Sequence, residues 1–203
     1  MIERERIIDA VITFIKEKWS EYASIFNSLP PRTGTIIRTV TEGVYEVDFG
    51  GYTEIVHDGQ GTVEGNTFTE NKETLPESIT VIKYIPKAEE LAAQMPAVVV
   101  MPVNSPEGEY ISMQSKSALY VDVTAFVYSS WQEADKDVLY RFAEMFGKYC
   151  PTTRAFYSYD IDQSSYIRKS AFILPISETY NLQAYGDEFV IYSTTIRLQV
   201  RVR

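Results

Sequence analysis

Histidine and cysteine are all but missing from this chain: its 203 residues include one of each, His57 and Cys150. A His-based metal site, a Ser-His-Asp triad or a Cys-His pair would each have to use His57. That residue follows an apolar run and precedes Asp58-Gly59, a turn signal, so it reads as an exposed turn histidine. A single cysteine cannot close an internal disulfide, so no oxidising compartment is indicated. Cys150 falls at the end of a helical pattern, away from the N-terminal end that would stabilise a thiolate, and reads as a buried, inert thiol.

Basic residues are also short. Lys and Arg number 19 against 28 Asp and Glu, for a formal net charge of −9. A general DNA- or RNA-coating role needs a basic footprint to displace counterions, and this balance argues against it. No stretch approaches eighteen uninterrupted apolar residues, so a membrane span is not expected. The first residues, MIERERIIDAV, carry charges where a signal peptide has its apolar run, and synthesis in the cytoplasm is the expectation. P-loop, G-x-G-x-x-G, C-x-x-C and G-x-S-x-G motifs are all missing. DIDQSS (160–165) opens like a calcium loop but places Ser165 where glycine is needed, and Ala171 where the bidentate glutamate belongs. Two of the many carboxylates could in principle run acid–base hydrolysis, yet none sits in a context that singles it out. The expectation is therefore no catalytic residue, no metal, no cofactor and no enzyme.

What the chain does have is tyrosine: fifteen, with ten Phe and two Trp. Tyr suits surfaces that are half dry and half wet, as at protein interfaces, and it is equally a good strand former. Along residues 2–26, Ile8, Val11, Ile15, Trp19, Tyr22 and Phe26 recur at steps of three and four and predict an amphipathic helix. Glu3, Arg4, Glu5, Lys16, Glu17 and Lys18 fall largely on its other side, and Pro30-Pro31 end it. From 33 to 83 the texture turns to Gly, Thr and β-branched residues broken by Glu-Gly, Gly-Gly, Asp-Gly and Gly-Asn. That punctuation predicts short antiparallel strands near 35–40, 43–49, 52–57 and 62–69, forming a β-rich insertion or small subdomain within a single α+β domain spanning 1–203. Few large apolar groups occupy these strands, so they are expected to lean on the main core or on a partner.

PKAEELAAQM (86–95) predicts a short helix opened by proline. AVVVMPV then reads as a strand buried on both faces, and NSPEGEYISMQSKS (104–117) as a loop or protruding ribbon. Next comes LYVDVTAFVYSSWQEADKDVLYRFAEMFGKY. Leu119, Val121, Val123, Ala125 and Val127 alternate with Tyr120, Asp122, Thr124, Phe126 and Tyr128, the period of a half-buried strand. Ser130 and Glu133 form a capping box. The stripe Trp131, Ala134, Val138, Phe142, Met145 and Tyr149 predicts a central helix over about 131–149, with Asp137–Arg141 and Glu144–Lys148 as outer ion pairs. SSYIRKSAFILPI (164–176) and FVIYSTTIRLQVRVR at the end predict two more strands, joined by SETYNLQAYGDE as a polar loop. The last strand has an apolar side and a basic one. Arg197, Arg201 and Arg203, with Arg168 and Lys169, face an acidic partner subunit or DNA, or else are a charged edge that resists strand addition. The fold class is α+β: a small, mostly antiparallel or mixed sheet packed by the N-terminal and central helices.

The long first helix, the proline-led strand MPAVVVMPV and the strand-into-helix YVDVTAFVYSSWQEADKDVLYRFAEMF resemble the tail-terminator and head–tail joining (neck) proteins of tailed bacteriophages. That resemblance covers about 85–150 and the first helix; it is a pattern of element types, and residues 33–83 have no counterpart in it. It implies a virion structural protein made in the bacterial cytoplasm. Such a protein forms a homo-oligomeric ring and contacts other tail or neck proteins, with no membrane or sequence-specific nucleic-acid partner. It has no catalytic residues to transfer, and tail end, neck and baseplate stay open as the interface served. The surface expected to meet a neighbour is Tyr120, Phe126 and Tyr128 with Arg197, Arg201 and Arg203. A second reading is a carbohydrate- or peptide-binding module with a concave site lined by Phe156, Tyr157, Tyr159 and Tyr166.

Overall fold

A computed structural model describes residues 4–202 apart from 73, 84–93, 104–117, 131–136, 161 and 186–188. The predicted helix at 86–95, the ribbon at 104–117, and Trp131, Glu133 and Ala134 lie wholly or mostly outside the described residues. The fold is α+β, as the element pattern predicts: two helices and two sheets among the described residues. The chain divides into a larger unit, Met1–Ala23 with Pro76–Arg203, and a smaller one, Ser24–Leu75.

The larger unit is built on a six-stranded sheet in the order β6-β7-β8-β11-β10-β9. Its strands are β6 (Thr80–Ile82), β7 (Ala97–Val103), β8 (Ala118–Ser130), β9 (Thr152–Asp160), β10 (Ser165–Tyr185) and β11 (Phe189–Val202). Only β6 and β7 run parallel; the other neighbours are antiparallel. Cross-strand register stacks Val100, Val123, Ile196 on one face, then Val121 and Leu198, then Leu119, Val200 and Ile173, all buried. Leu119, Val121, Val123, Ala125 and Val127 are thus the buried side of β8, as their alternation predicts. The helix α2 (Asp137–Tyr149) packs over β8 and β11, burying Val138, Leu139, Phe142, Met145 and Phe146.

The first helix, α1 (Arg4–Ser28), buries Ile8, Val11, Ile15, Trp19 and Tyr22 as expected, and Ile7, Phe14 and Ala23 besides. Its apolar stripe is wide because it meets α2 ring against ring. Phe14 lies 5.8 Å from Phe146 and Trp19 6.0 Å from Phe142, centroid to centroid. The Trp19 indole N–H donates to the Pro76 carbonyl at 2.8 Å, satisfying its one polar atom inside the core. The Tyr22 hydroxyl donates to Glu144, which also accepts from Arg141 at 2.7 Å. Glu144 thus pairs with Arg141 and not with the expected Lys148, which lies over the Tyr22 and Tyr149 rings; the Asp137 side chain of the other expected pair lies outside the described residues.

Two stretches depart from expectation. SETYNLQAY is strand, not loop: β10 runs on through a bulge at Ile176 and pairs with β11 as far as Tyr185 and Phe189. The backbone ladder carries this arm, whose residues Ser177–Asn181 are exposed. Residues 152–160, unassigned by pattern, form β9. Its alternation is inverted in polarity, with Arg154 and Ser158 turned inward and Tyr157 outward. DIDQSS is the turn between β9 and β10, where the Asp160 carboxylate accepts the backbone N–H groups of Asp162 and Gln163.

The smaller unit is an all-antiparallel sheet in the order β3-β2-β1-β5-β4. Its strands are β1 (Thr33–Thr41), β2 (Val44–Asp48), β3 (Thr53–His57), β4 (Gly61–Glu64) and β5 (Thr67–Glu70). All four turn dipeptides fall between strands; the predicted fourth strand at 62–69 is two, split by Gly65-Asn66. Gly43 turns β1 into β2 with φ 73°, a conformation that favours glycine. The unit has a core of its own, Val47, Val56 and Phe68 with Ile36, Tyr45 and Phe49 against it. Arg32 ties the sheet together. Its guanidinium donates twice to Glu70 at 2.8 Å, pairs with Glu54 at 3.1 Å and lies 4.0 Å over the Phe49 ring.

Candidate interaction surface

The outer face of the six-stranded sheet, opposite α2, carries the even-numbered residues of β8 and the odd-numbered ones of β11. Arg197 and Asp122 sit directly across from each other there. Their bidentate contact at 2.7 and 2.8 Å consumes the Arg197 fork and raises the pKa of its guanidinium. Arg201 is exposed and donates to Gln199 at 3.0 Å. Gln199 in turn donates to the Tyr120 hydroxyl at 3.2 Å. Tyr120 itself is only 4% exposed, so it serves the chain's own packing and is not the open contact residue expected. Phe126 is half-buried on the same face. Tyr128 pairs through its backbone with Ile191, and its side chain lies outside the described residues, as does Arg203. Arg168 is exposed and Lys169 half-buried; being successive strand residues, they take opposite faces. The structure thus brings Tyr120, Phe126, Arg197 and Arg201 onto one face, but Tyr120, Arg197 and Arg201 each have a hydrogen-bond partner within it.

The more open end of this face lies at β9 and the start of β10. Tyr157 and Tyr166 are 61% and 60% exposed, and Tyr159 meets Tyr166 edge-on at 5.3 Å. Ile176, at the bulge, is 47% exposed. Beside the strand runs a groove of about 490 Å³, lined by Arg6, Asp9, Ala10, Thr13 and Glu17 of α1 and by Arg154, Ala155, Phe156, Tyr157 and Tyr166. Asp9 accepts Lys83 at 2.9 Å, and Glu17 accepts Arg154. Phe156 is buried, so of the four aromatic residues expected to line a concave site, Tyr157 and Tyr166 offer their rings to it. The sequence did not point to the α1 side of this groove, because helix and strand meet only in the fold.

The sparse reactive residues are placed as follows. His57 is exposed at the end of β3, just before the 3₁₀ turn Asp58–Gln60. Cys150 is half-buried, and loss of water pushes its thiol pKa up to about 12, so it is held as the protonated, unreactive form. Among the described residues no group of three or more His, Cys, Asp or Glu is placed to hold a metal ion. Asp9 and Glu17 stand eight residues apart on one helix, about 12 Å along its axis. No helix among the described residues is long and apolar enough to cross a membrane. No protein-family model matches the chain, and no curated protein matches its sequence.

Proposed function

We propose that the chain is a structural protein of a phage or prophage particle, a ring-forming tail terminator or head–tail connector subunit that works by protein–protein assembly. The observation that carries this is the open end of the large sheet. There Tyr157 and Tyr159 of the edge strand β9 stand exposed with Tyr166 of the neighbouring β10, an amphipathic aromatic surface of the kind enriched at protein interfaces. The order of α1, β7, β8 and α2 supports the class, since it is the element order of the family the sequence resembles. The test is electron microscopy and light scattering of the pure protein across concentration, with co-sedimentation on isolated tails and capsids. Rings, or binding to either particle, are expected.

A second reading is favoured by one observation, the exposed Tyr157 and Tyr166 beside a shared groove. In that reading the chain is a carbohydrate- or peptide-binding module. Screening soluble glycans against the wild type and Tyr157→Ser, beside the assembly assay, separates the two: a binding module takes up a glycan through Tyr157 and forms no rings.

A further inference from the structure

We infer that the groove between α1 and β9 takes an extended segment of a partner protein as a seventh strand of the sheet, and that this segment carries basic side chains four residues apart. The inference rests on the reading that the chain acts through protein contact, and it names the mode and chemistry of one such contact.

The groove's position is the first argument. Arg154, Ala155, Phe156 and Tyr157 all line it. Strand side chains alternate between faces, so a pocket on one face collects every second residue. Four consecutive residues line a groove only where the strand's own edge is its wall. β9 is last in the sheet order and pairs only with β10 among the described residues. Every second N–H and C=O along its outer edge therefore faces the groove, the arrangement that strand addition uses. At nine residues β9 is long for an edge. Its inward charge within the groove, Arg154, would guard it against pairing, but Glu17 neutralises that charge from the helix side; its other inward charge, Asp160, sits at the far end and caps the turn.

Length and charge identify the occupant. The α1 residues in the groove, from Arg6 to Glu17, cover about 16 Å of helix, and a five-residue strand covers about 17 Å. The carboxylates Asp9 and Glu17 lie about 12 Å apart along the axis. Strand residues i and i+4 share a face and sit about 13 Å apart. The Asp9 and Glu17 side chains keep 46% and 54% exposure, although each already accepts one cation, so both have room for a second. Arg6, one turn before Asp9, bounds the acidic stretch at that end. A strand bound here with lysine or arginine at i and i+4 would set both against carboxylates. Its residues on the other face would run along the exposed Tyr157 and Tyr166 rings.

The probe is a short, blocked, fluorescein-labelled peptide of Val and Thr with two lysines four residues apart, titrated by fluorescence polarisation against the full chain. Two further peptides carry the lysines three apart, or N-methyl groups on alternate amides. Saturable binding is expected. Moving the lysines should weaken it, and N-methylation on the pairing edge should weaken it at least about tenfold, since main-chain hydrogen bonds carry the affinity. Asp9→Asn should cost about three- to fivefold, the most a half-exposed ion pair supplies, with far-ultraviolet circular dichroism confirming the fold. Equal binding of the N-methylated peptide, no saturable binding, or binding of chito-oligosaccharides in place of the peptide would each overturn the inference. Rings without peptide binding would leave the assembly reading standing and remove this one; peptide binding by a chain that never assembles would do the reverse.

Discussion

Replacing Trp19 tests the seam that joins α1 to α2. The indole is fully buried, donates at 2.8 Å to the Pro76 carbonyl, and lies 6.0 Å from Phe142 and 6.4 Å from Tyr22. Trp19→Ala removes the largest fully buried side chain of the described core and leaves a carbonyl without its donor. Large aromatic-to-alanine changes cost about 3–5 kcal/mol through lost burial and the cavity left behind. The stranded carbonyl adds about 1 kcal/mol, so a loss of about 4–6 kcal/mol is expected. Trp19→Phe keeps most of the ring but not the N–H, and should cost about 1–2 kcal/mol. A double-mutant cycle of Trp19→Leu with Phe142→Leu, each of which removes the ring pair, should show about 0.5–1.5 kcal/mol of coupling, the worth of an aromatic pair beyond its area. Urea unfolding followed by far-ultraviolet circular dichroism compares each variant with the wild type. The chain has two compact units, so the transition assigned to the larger one is the one compared. A Trp19→Ala variant within about 1 kcal/mol of wild type, or a strictly additive cycle, would refute the packing described.

Alkali should expose a second feature of the same seam. Burial, and then the Glu144 carboxylate, push the Tyr22 hydroxyl up from 10.0 to about 12; burial and Glu178 do the same for Tyr180. The folded state prefers the neutral phenol, so this stability is complete below pH 10 and is lost as pH rises through about 12. Tyr22→Phe should flatten that part of the pH–stability curve, and near-ultraviolet titration should show one late-ionising tyrosine fewer in Tyr22→Phe than in the wild type. In the smaller unit, a Cβ at position 61 would meet Phe68 Cζ at 2.5 Å, so Gly61→Ala should cost about 1–3 kcal/mol, read by hydrogen exchange in β4 and β5. Arg32→Lys keeps the charge but not the fork onto Glu70, and about 1 kcal/mol should be lost there after solvent screening. On the outer face, Arg201→Ala should leave thermal stability unchanged, whereas Arg197→Ala strands the largely buried Asp122 and should lower the melting temperature.

Much of this fold is visible in the residue pattern, and the exceptions share a cause. The α1 stripe, the β8 alternation and the α2 stripe are strong periodic signals because each element buries one apolar side against the same core. Glu42-Gly43, Gly50-Gly51 and Gly65-Asn66 mark the hairpins because each puts glycine at a positive φ that few residues adopt, and Asp58-Gly59 marks the 3₁₀ turn between β3 and β4. β9 escapes because its inward residues include Arg154 and Ser158 while its tyrosines face out, so polarity and burial run opposite ways. The distal arm of β10 escapes because its backbone pairing with β11, not burial, holds it. Tyr120 looks like a contact residue until register places Gln199 opposite it, and the Asp122–Arg197 pair exists only through that same register. The groove joins residues more than a hundred positions apart, which no local pattern records.

Mixing the purified chain with isolated phage tails and capsids, and imaging the products by electron microscopy, tests the proposed role most directly. Rings of the chain alone, or density for the chain seated on a tail end or capsid neck, are predicted. A protein that stays monomeric at every concentration and joins neither particle would contradict it.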